Sequence, residues 1–507
     1  MKRFIKFGLI VILPVIVVML MNGCGKTGSD KENKVLLPVK EDQTISFRIW
    51  FNAGSQNDPK GKEGLSALTA SMLTEGSTMT NSYEQILEKL YPMAANYQDK
   101  VDKEMTVIMG RTHIDNLKDY YELLKDAILK PAFKQEDFDR LKSQMLNYLE
   151  NDLRYSSDEE LGKAAVNNFI FEGTPYGHIP AGTVSGLKSI TLDDVKTFYK
   201  KNYTKDNFGI GLGGNYPDEL VATIEKDLSA LTAKKVDSVA KPVPAKIEGM
   251  QVNLINKECD ATAISFGFPI DVLRGDKDFF ALYLFNSWFG EHRNQSSHLY
   301  QVIREKRGMN YGDYSYIEPF LNGGGLTFPQ PNNPRRQQIF EVWIRPVQNQ
   351  NRNFALRAAM RELKNVVDKG ITKEDFELTK NFLYNYCLFY AQTTMMRLGY
   401  QIDSKFYNVA DNGNYIEYFR NKIKALTLEE VNAAIKKHLQ YNNIKMSIVT
   451  RDADKFKDEL VNNVPGNITY ITPPPQAVLD EDKEIMVFPL NIKAENVKVI
   501  NVEELFK

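Results

Sequence analysis

Leu187–Gly214, LKSITLDDVKTFYKKNYTKDNFGIGLGG, aligns without a gap to Ile423–Thr450, IKALTLEEVNAAIKKHLQYNNIKMSIVT, at an offset of 236 residues (423 minus 187). Each copy reads Thr-Leu-acid-acid-Val, then Lys-Lys, then Asn. Thr191 and Thr427 are placed as helix N-caps, where a hydroxyl accepts from an otherwise unpaired backbone N–H and the acids after it meet the positive end of the helix dipole. The apolar runs after Asn207 and Asn443 read as strands. A second pair, QEDFDRLKSQMLNY from Gln135 and KEDFELTKNFLYNY from Lys373, recurs at nearly the same offset, 238 (373 minus 135). Helical periodicity explains shared apolar positions but not shared Lys-Lys and Asn-Tyr, so the chain is read as a duplicated unit.

Working outward, each half opens with an alternating strand, ISFRIWFNAG near Ile45 and ATAISFGFPI near Ala261, followed by a helix from about Lys62 or Asp276. Strands mixed with long helices indicate an α+β fold in two homologous halves. The expected organisation is an N-terminal domain over 43–233, a linker over 234–250 carrying Pro242 and Pro244, a C-terminal domain over 251–470, and a tail over 471–507 after Pro473–Pro475. The tail shows strand-like apolar stretches and is expected to pack on the second half. A chain of 507 residues exceeds one core. Its 64 Lys plus Arg against 65 Asp plus Glu give no electrostatic reason to expect nucleic acid as partner.

At the N-terminus, Lys2, Arg3 and Lys6 precede an apolar run from Phe7 to Met21, then Asn22, Gly23 and Cys24. This looks like a bacterial lipoprotein signal over 1–24, too short for a membrane span, with Cys24 as the acylated residue and 25–42 as a tether. Met21 stands where such signals usually have Leu; a plain secretory signal or an uncleaved anchor are the alternatives. The expected location is the cell envelope, lipid-anchored and facing the periplasm, where disulfides are permitted. For Cys259 and Cys387, two buried free thiols are nevertheless the preferred reading.

The segment Gly64–Ser77, GLSALTASMLTEGS, resembles the helix of the insulinase (pitrilysin) family of zinc metallopeptidases, whose pattern runs G-L-x-H-x-x-E-H-x-L-x-x-G-[S/T]. Gly64, Leu65, Leu73, Gly76 and Ser77 match the frame, while Ala67 and Ser71 stand at the histidine positions and Ala70 at the glutamate. Spacing of i, i+3 and i+4 puts all three on one helical face, where the family holds zinc with two imidazoles and activates water with the carboxylate. Alanine has no lone pair and serine is a poor zinc ligand, so no metal is expected in this chain. The family's further glutamate ligand falls on the later helix Asp137–Leu153, with Glu150 and Asn147 as alternative alignments.

The five histidines, His113, His178, His292, His298 and His438, include no helical ligand pair. His292 and His298 are read as surface residues, and His178, in TPYGH, as a loop residue of the fold pattern. In the second half, SHLYQVIREKRGMNYGDYSY from Ser297 resembles the family's L-[FY]-x-x-[IL]-R-x-x-x-x-[GL]-x-Y segment. The resemblance implies that Arg304 and Tyr311 bind the peptide backbone facing the zinc of another half. Without it, Arg304 reads as a surface ion-pairing residue and Tyr311 as core or edge packing. With it, two homologous processing-peptidase-type α/β-sandwich domains are expected, and the chain is expected to be a non-catalytic, substrate-binding subunit of a heteromeric envelope zinc peptidase. Its expected partners are a homologous H-x-x-E-H subunit that carries the zinc, peptide substrates, and the membrane through the lipid anchor. The alternative is a structural or peptide-binding lipoprotein scaffold without proteolysis.

Overall fold

The computed structural model describes residues 33–320, 328–470 and 472–507; Cys24 and the apolar run before it lie outside them. The first half builds a five-stranded sheet from β1 (Lys34–Pro38), β2 (Thr44–Phe51), β3 (Asn96–Val101), β4 (Thr106–His113) and β5 (Phe208–Gly214), in the order β1-β5-β2-β4-β3. The second half uses β6 (Met250–Asn256), β7 (Ala261–Ile270), β8 (Asp313–Tyr316), β9 (Gln338–Gln348), β10 (Ile444–Thr450) and β11 (Val497–Asn501), in the order β11-β6-β10-β7-β9-β8. Apart from β11 the two orders correspond strand for strand. In both, the first strand pairs parallel to the last strand of its repeat, and the second strand pairs antiparallel to its neighbours. The α+β duplication expected from sequence is the architecture observed.

Both repeat helices, Leu192–Asn202 and Leu428–His438, start on a reciprocal capping box. Asp194 N donates to Thr191 Oγ1 at 3.2 Å while Thr191 N donates to Asp194 Oδ2 at 2.9 Å; Thr427 and Glu430 repeat this at 3.2 and 3.1 Å. Thr191→Ala and Thr427→Ala should each cost about 1 kcal/mol, measured by urea denaturation; Thr→Ser at either site, which keeps the hydroxyl, should recover most of it.

Side chains at alternate positions of β2 face the first core: Ile45, Phe47, Ile49 and Phe51 pack with Leu65, Leu68 and Leu73. Ser46, Arg48 and Trp50 occupy the opposite face, which the alternation alone assigns to solvent, yet all three are buried. The cover is a helix from the other half, Thr394–Phe406, lying on β1, β2 and β5. Leu398 and Ile402 close a separate apolar cluster with Trp50, Met105, Val107 and Met109. Reciprocally, the first-half helix Asp158–Ile170 lies on β7 and β10 of the second sheet. The two exchanged helices stand 236 residues apart (394 minus 158), the offset of the sequence repeat, so each copy of the unit covers the back of the other's sheet. Residues Lys34–Lys507 consequently form one compact unit.

A polar seam runs along the same junction. Asp102, in the β3–β4 hairpin, accepts two bonds from Arg335, at 2.9 Å from Nε and 2.8 Å from Nη2. Arg336 Nε donates to Glu104 Oε2 at 2.6 Å, and Tyr176 donates to Glu104. Arg48 donates to Asn332, whose backbone N–H is held by the Asp403 carboxylate at 3.0 Å; Arg274 Nη1 donates to the same carboxylate at 3.1 Å. Charged groups this deep are tolerated because each meets an opposite charge or a hydrogen-bond partner.

Two expectations need correction. Lys34–Pro38, placed in the tether, is strand β1, paired parallel to β5 from Lys34↔Ile210 to Pro38↔Gly214; five residues are too few for periodicity to reveal. The tail does pack on the second half, through helix Gln476–Met486 and β11, but its last residues cross to the first. Val502 and Phe506 enter the first-half core, and Val184 N donates to Phe506 O at 2.7 Å.

Candidate functional site

The segment with the zinc-peptidase frame is helix Leu65–Thr74. Gly64, at its N-terminus, has φ 105°, and a Cβ there would lie 2.9 Å from Ala181 O, so the frame glycine is required by geometry. The next element is a cap supplied from a distance. The Asp58 carboxylate accepts from Gly64 N at 2.8 Å and Ser66 N at 2.7 Å, and His178 Nε2 lies 3.1 Å from Asp58 Oδ2. The GSQNDP and TPYGH loops thus meet at the first turn, where a carboxylate satisfies unpaired N–H groups and the helix dipole. His178 steadies this cap. The meeting of these loops, 120 residues apart at Asp58 and His178, depends on tertiary contact.

Ala67, Ala70, Ser71 and Thr74 follow one another along a single helical face. Ala70 is fully buried, Ala67 and Ser71 half-buried. The residues present do not fit zinc: neither alanine offers a donor, and among the described residues no cluster of three His, Cys, Asp or Glu side chains has metal-binding geometry. Glu150 sits in a wider, π-helical stretch, Tyr148–Ser156, and pairs with Lys188 at 3.0 Å on the surface. Asn147 accepts from Asn151 Nδ2 at 2.8 Å. One turn beyond the motif positions, Thr74 Oγ1 donates to Asp99 Oδ1 at 2.5 Å. Burial pushes the Asp99 carboxyl up to about 6 despite that bond. Asp99 lies on β3, the edge strand of its sheet.

In the second half, Arg304 and Tyr311 are brought together. The guanidinium carbon stands 5.7 Å from the phenol ring centroid, a cation–π distance. Tyr311 is 79% exposed, so it is neither core nor edge packing. Arg304 makes no ion pair with Glu305, and among the described residues its buried Nε has no hydrogen-bond partner. The pair leads into edge strand β8, where burial pushes the Asp313 carboxyl well above its usual range against the pull of Arg345 and Arg304. A guanidinium with spare donors beside an exposed hydroxyl can hold a carbonyl oxygen or a developing oxyanion.

His292 is not a surface residue, and His298 is half-buried. His292 is 4% exposed, its ring against Tyr314 and Phe320, with Nδ1 2.5 Å from the Tyr316 hydroxyl. His298 stacks on Trp288 at 4.5 Å and lies 2.7 Å from Glu362. Their polar surroundings in GEHRNQSSHLY suggest a loop in solvent, but aromatic side chains from β8, β9 and helix Phe279–Gly290 close over it. Cys387 is buried and Cys259 half-buried, both as free thiols; burial pushes their pKa values up to about 12 and about 11.

Two family profiles match the chain, one described as Insulinase (Peptidase family M16) over residues 34–177 and one as Peptidase M16 inactive domain over residues 189–383. The chain is 24% identical over 430 residues to the Non-peptidase homolog YmxG of Helicobacter pylori, covering 82% of this chain and 90% of that protein. Its fold is similar to a crystal structure of a peptidase M16 inactive domain from Pseudomonas fluorescens, with TM-score 0.72, 23% identity, 82% of this chain and 95% of the other covered. It is also similar to the periplasmic protease PqqL from Escherichia coli, with TM-score 0.64 and 14% identity, where 89% of this chain overlays 49% of that one. With the duplicated α+β halves, the retained helix frame and the two profile matches agreeing, the chain belongs to the insulinase (M16) family, as a homologue whose zinc-binding positions hold Ala67, Ala70 and Ser71.

Proposed function

We propose that this chain is the non-catalytic, substrate-orienting subunit of a zinc peptidase of the bacterial cell envelope, anchored through an acylated Cys24 and paired with a homologous chain bearing an intact H-x-x-E-H. The observation that carries the reading is an asymmetry between the halves. Metal-binding side chains are missing from the first, while the second keeps Arg304 and Tyr311 together with Tyr311 open to solvent. Zinc in the partner would polarise the scissile carbonyl; Arg304 would hold a backbone carbonyl and the Tyr311 hydroxyl would donate to the oxyanion. The open edge of β3 offers backbone N–H and C=O groups for strand pairing with an extended peptide. Neither function requires a metal in this chain.

The test is affinity purification of the native lipoprotein from envelopes, followed by peptidase assays on the recovered complex. Tyr311→Phe should lower kcat by about 100-fold, the usual effect of removing one oxyanion donor, and Arg304→Ala should raise KM as well, with the complex intact on gel filtration. Turnover unaffected by both substitutions would sink the trans-acting role. Recovery of the chain alone, or only with non-peptidase proteins, would favour the scaffold reading instead.

A further inference from the structure

Beside the Ala181 turn that packs on the start of the motif helix, a cavity of about 310 Å³ opens between the two halves. Its apolar walls come from both: Leu153 and Ile179 from the first, Pro319, Phe320 and Trp343 from the second. Trp343 also forms the floor for Lys163, whose ammonium sits 3.7 Å from the ring centroid and is neutralised by Glu159 at 2.8 Å and Glu160 at 2.9 Å. This part of the lining is electrically settled.

The other end is not. Lys103 and Arg335 both line the cavity, and each is only 1% exposed. Arg335 donates Nε and Nη2 to Asp102, and among the described residues its Nη1 has no hydrogen-bond partner. Lys103 donates to the backbone carbonyl of His178, and among the described residues no carboxylate stands within ion-pairing distance of its ammonium. An ammonium carries three donors and a guanidinium five. Asp102 and Asp58 act on Lys103 and Glu341 acts on Arg335, but of these carboxylates only Asp102 is hydrogen-bonded to either cation among the described residues, through Arg335, which leaves donors over on both. Burial holds the Lys103 pKa down to about 7, with Arg335 adding repulsion, and burial pushes the nearby Glu341 carboxyl up to about 7. In its neutral form Glu341 is itself a donor.

We propose that this cavity is a binding site for a carboxylate carried on an apolar stem, with the carboxylate between Lys103 and Arg335 and the stem against Trp343 and Phe320. The volume is at the lower end for small-ligand sites, which run from about 300 Å³, and suits one residue-sized group. The two sources of that chemistry are the C-terminal residue of a peptide and a free arylalkyl carboxylic acid. Because both halves line the site, the ligand bridges them at the seam.

Calorimetric titration of the full chain in detergent with N-acetyl-phenylalanine and with 3-phenylpropanoate, each beside its neutral amide, tests this. At least one acid should saturate a single site per chain and bind at least about tenfold more tightly than its amide. Lys103→Met should remove that preference, and Ala164→Trp, which fills the cavity from helix Asp158–Ile170, should abolish binding of both. Tighter binding of the acylated amino acid assigns the site to peptide C-termini; tighter binding of phenylpropanoate assigns it to free acids. Equal binding of acid and amide, or no saturation by about 10 mM, overturns the proposal, and this comparison uses the unaltered protein, so it stands even if a variant fails to fold.

Discussion

Arg335→Met is expected to cost about 3–5 kcal/mol of stability, the loss typical of removing one member of a buried ion pair. The Asp102 side chain is fully buried, and both its oxygens are engaged by the guanidinium at 2.8 and 2.9 Å. Methionine fills much of the same volume but strips the carboxylate of both guanidinium hydrogen bonds, leaving only the more distant Lys103 as a positive neighbour. Acid should narrow the gap. Burial alone would raise the Asp102 pKa, but Arg335 overrides it and holds the folded value below the ordinary one. The pair's contribution is therefore complete above the unfolded-state value of about 3.9 and is lost as pH falls through the folded value beneath it. In the variant the unpaired carboxyl takes up a proton instead, so the difference between the two proteins shrinks in acid. Urea denaturation at neutral pH and near pH 4 measures this. The double variant Asp102→Leu with Arg335→Met should be more stable than Arg335→Met alone, because it removes the orphaned charge; a double variant as unstable as both singles added would show that the two groups are not coupled.

Leu398→Ala should cost about 3 kcal/mol, within the range for a buried leucine whose cavity cannot collapse. The residue belongs to the second half by sequence but packs on Trp50 and Met109 of the first sheet. Its loss should be felt on the far side of the repeat. Hydrogen exchange is expected to rise at β1, β2 and β5, which the Thr394–Phe406 helix covers, while the Leu428–His438 helix keeps its protection. Faster exchange confined to the second half would show that each half is held by its own core, contrary to the exchanged-helix arrangement.

Much of the first site was legible because its information is local. A helix frame needs only nearest-neighbour spacing, so Gly64, Ala67, Ala70 and Ser71 were placed on the correct element, and the missing donors were evident from side-chain chemistry alone. Arg304 and Tyr311 were legible through their separation of seven residues, although their cation–π contact was not. The Asp58–His178 cap, the Asp102–Arg335 pair and the cation-rich cavity were not readable, since each joins segments more than 100 residues apart. His292 was misread for the same reason: a short polar run carries no sign of the aromatic rings that later close over it.

By itself, the sequence determined the two α+β halves, their capped helices and strands, and the absence of zinc ligands at the motif positions, because hydrophobic period, capping chemistry and donor atoms act over a few residues. Only the tertiary structure decided which half covers which sheet. Ser46 and Arg48 alternate with Ile45, Phe47 and Ile49 as in a strand with one face in water, and nothing local says that a helix starting 346 residues after Arg48 (394 minus 48) will bury that second face. The sheet's outer face gains its cover from whichever amphipathic helix reaches it with least strain, and in this chain that helix belongs to the other copy of the repeat.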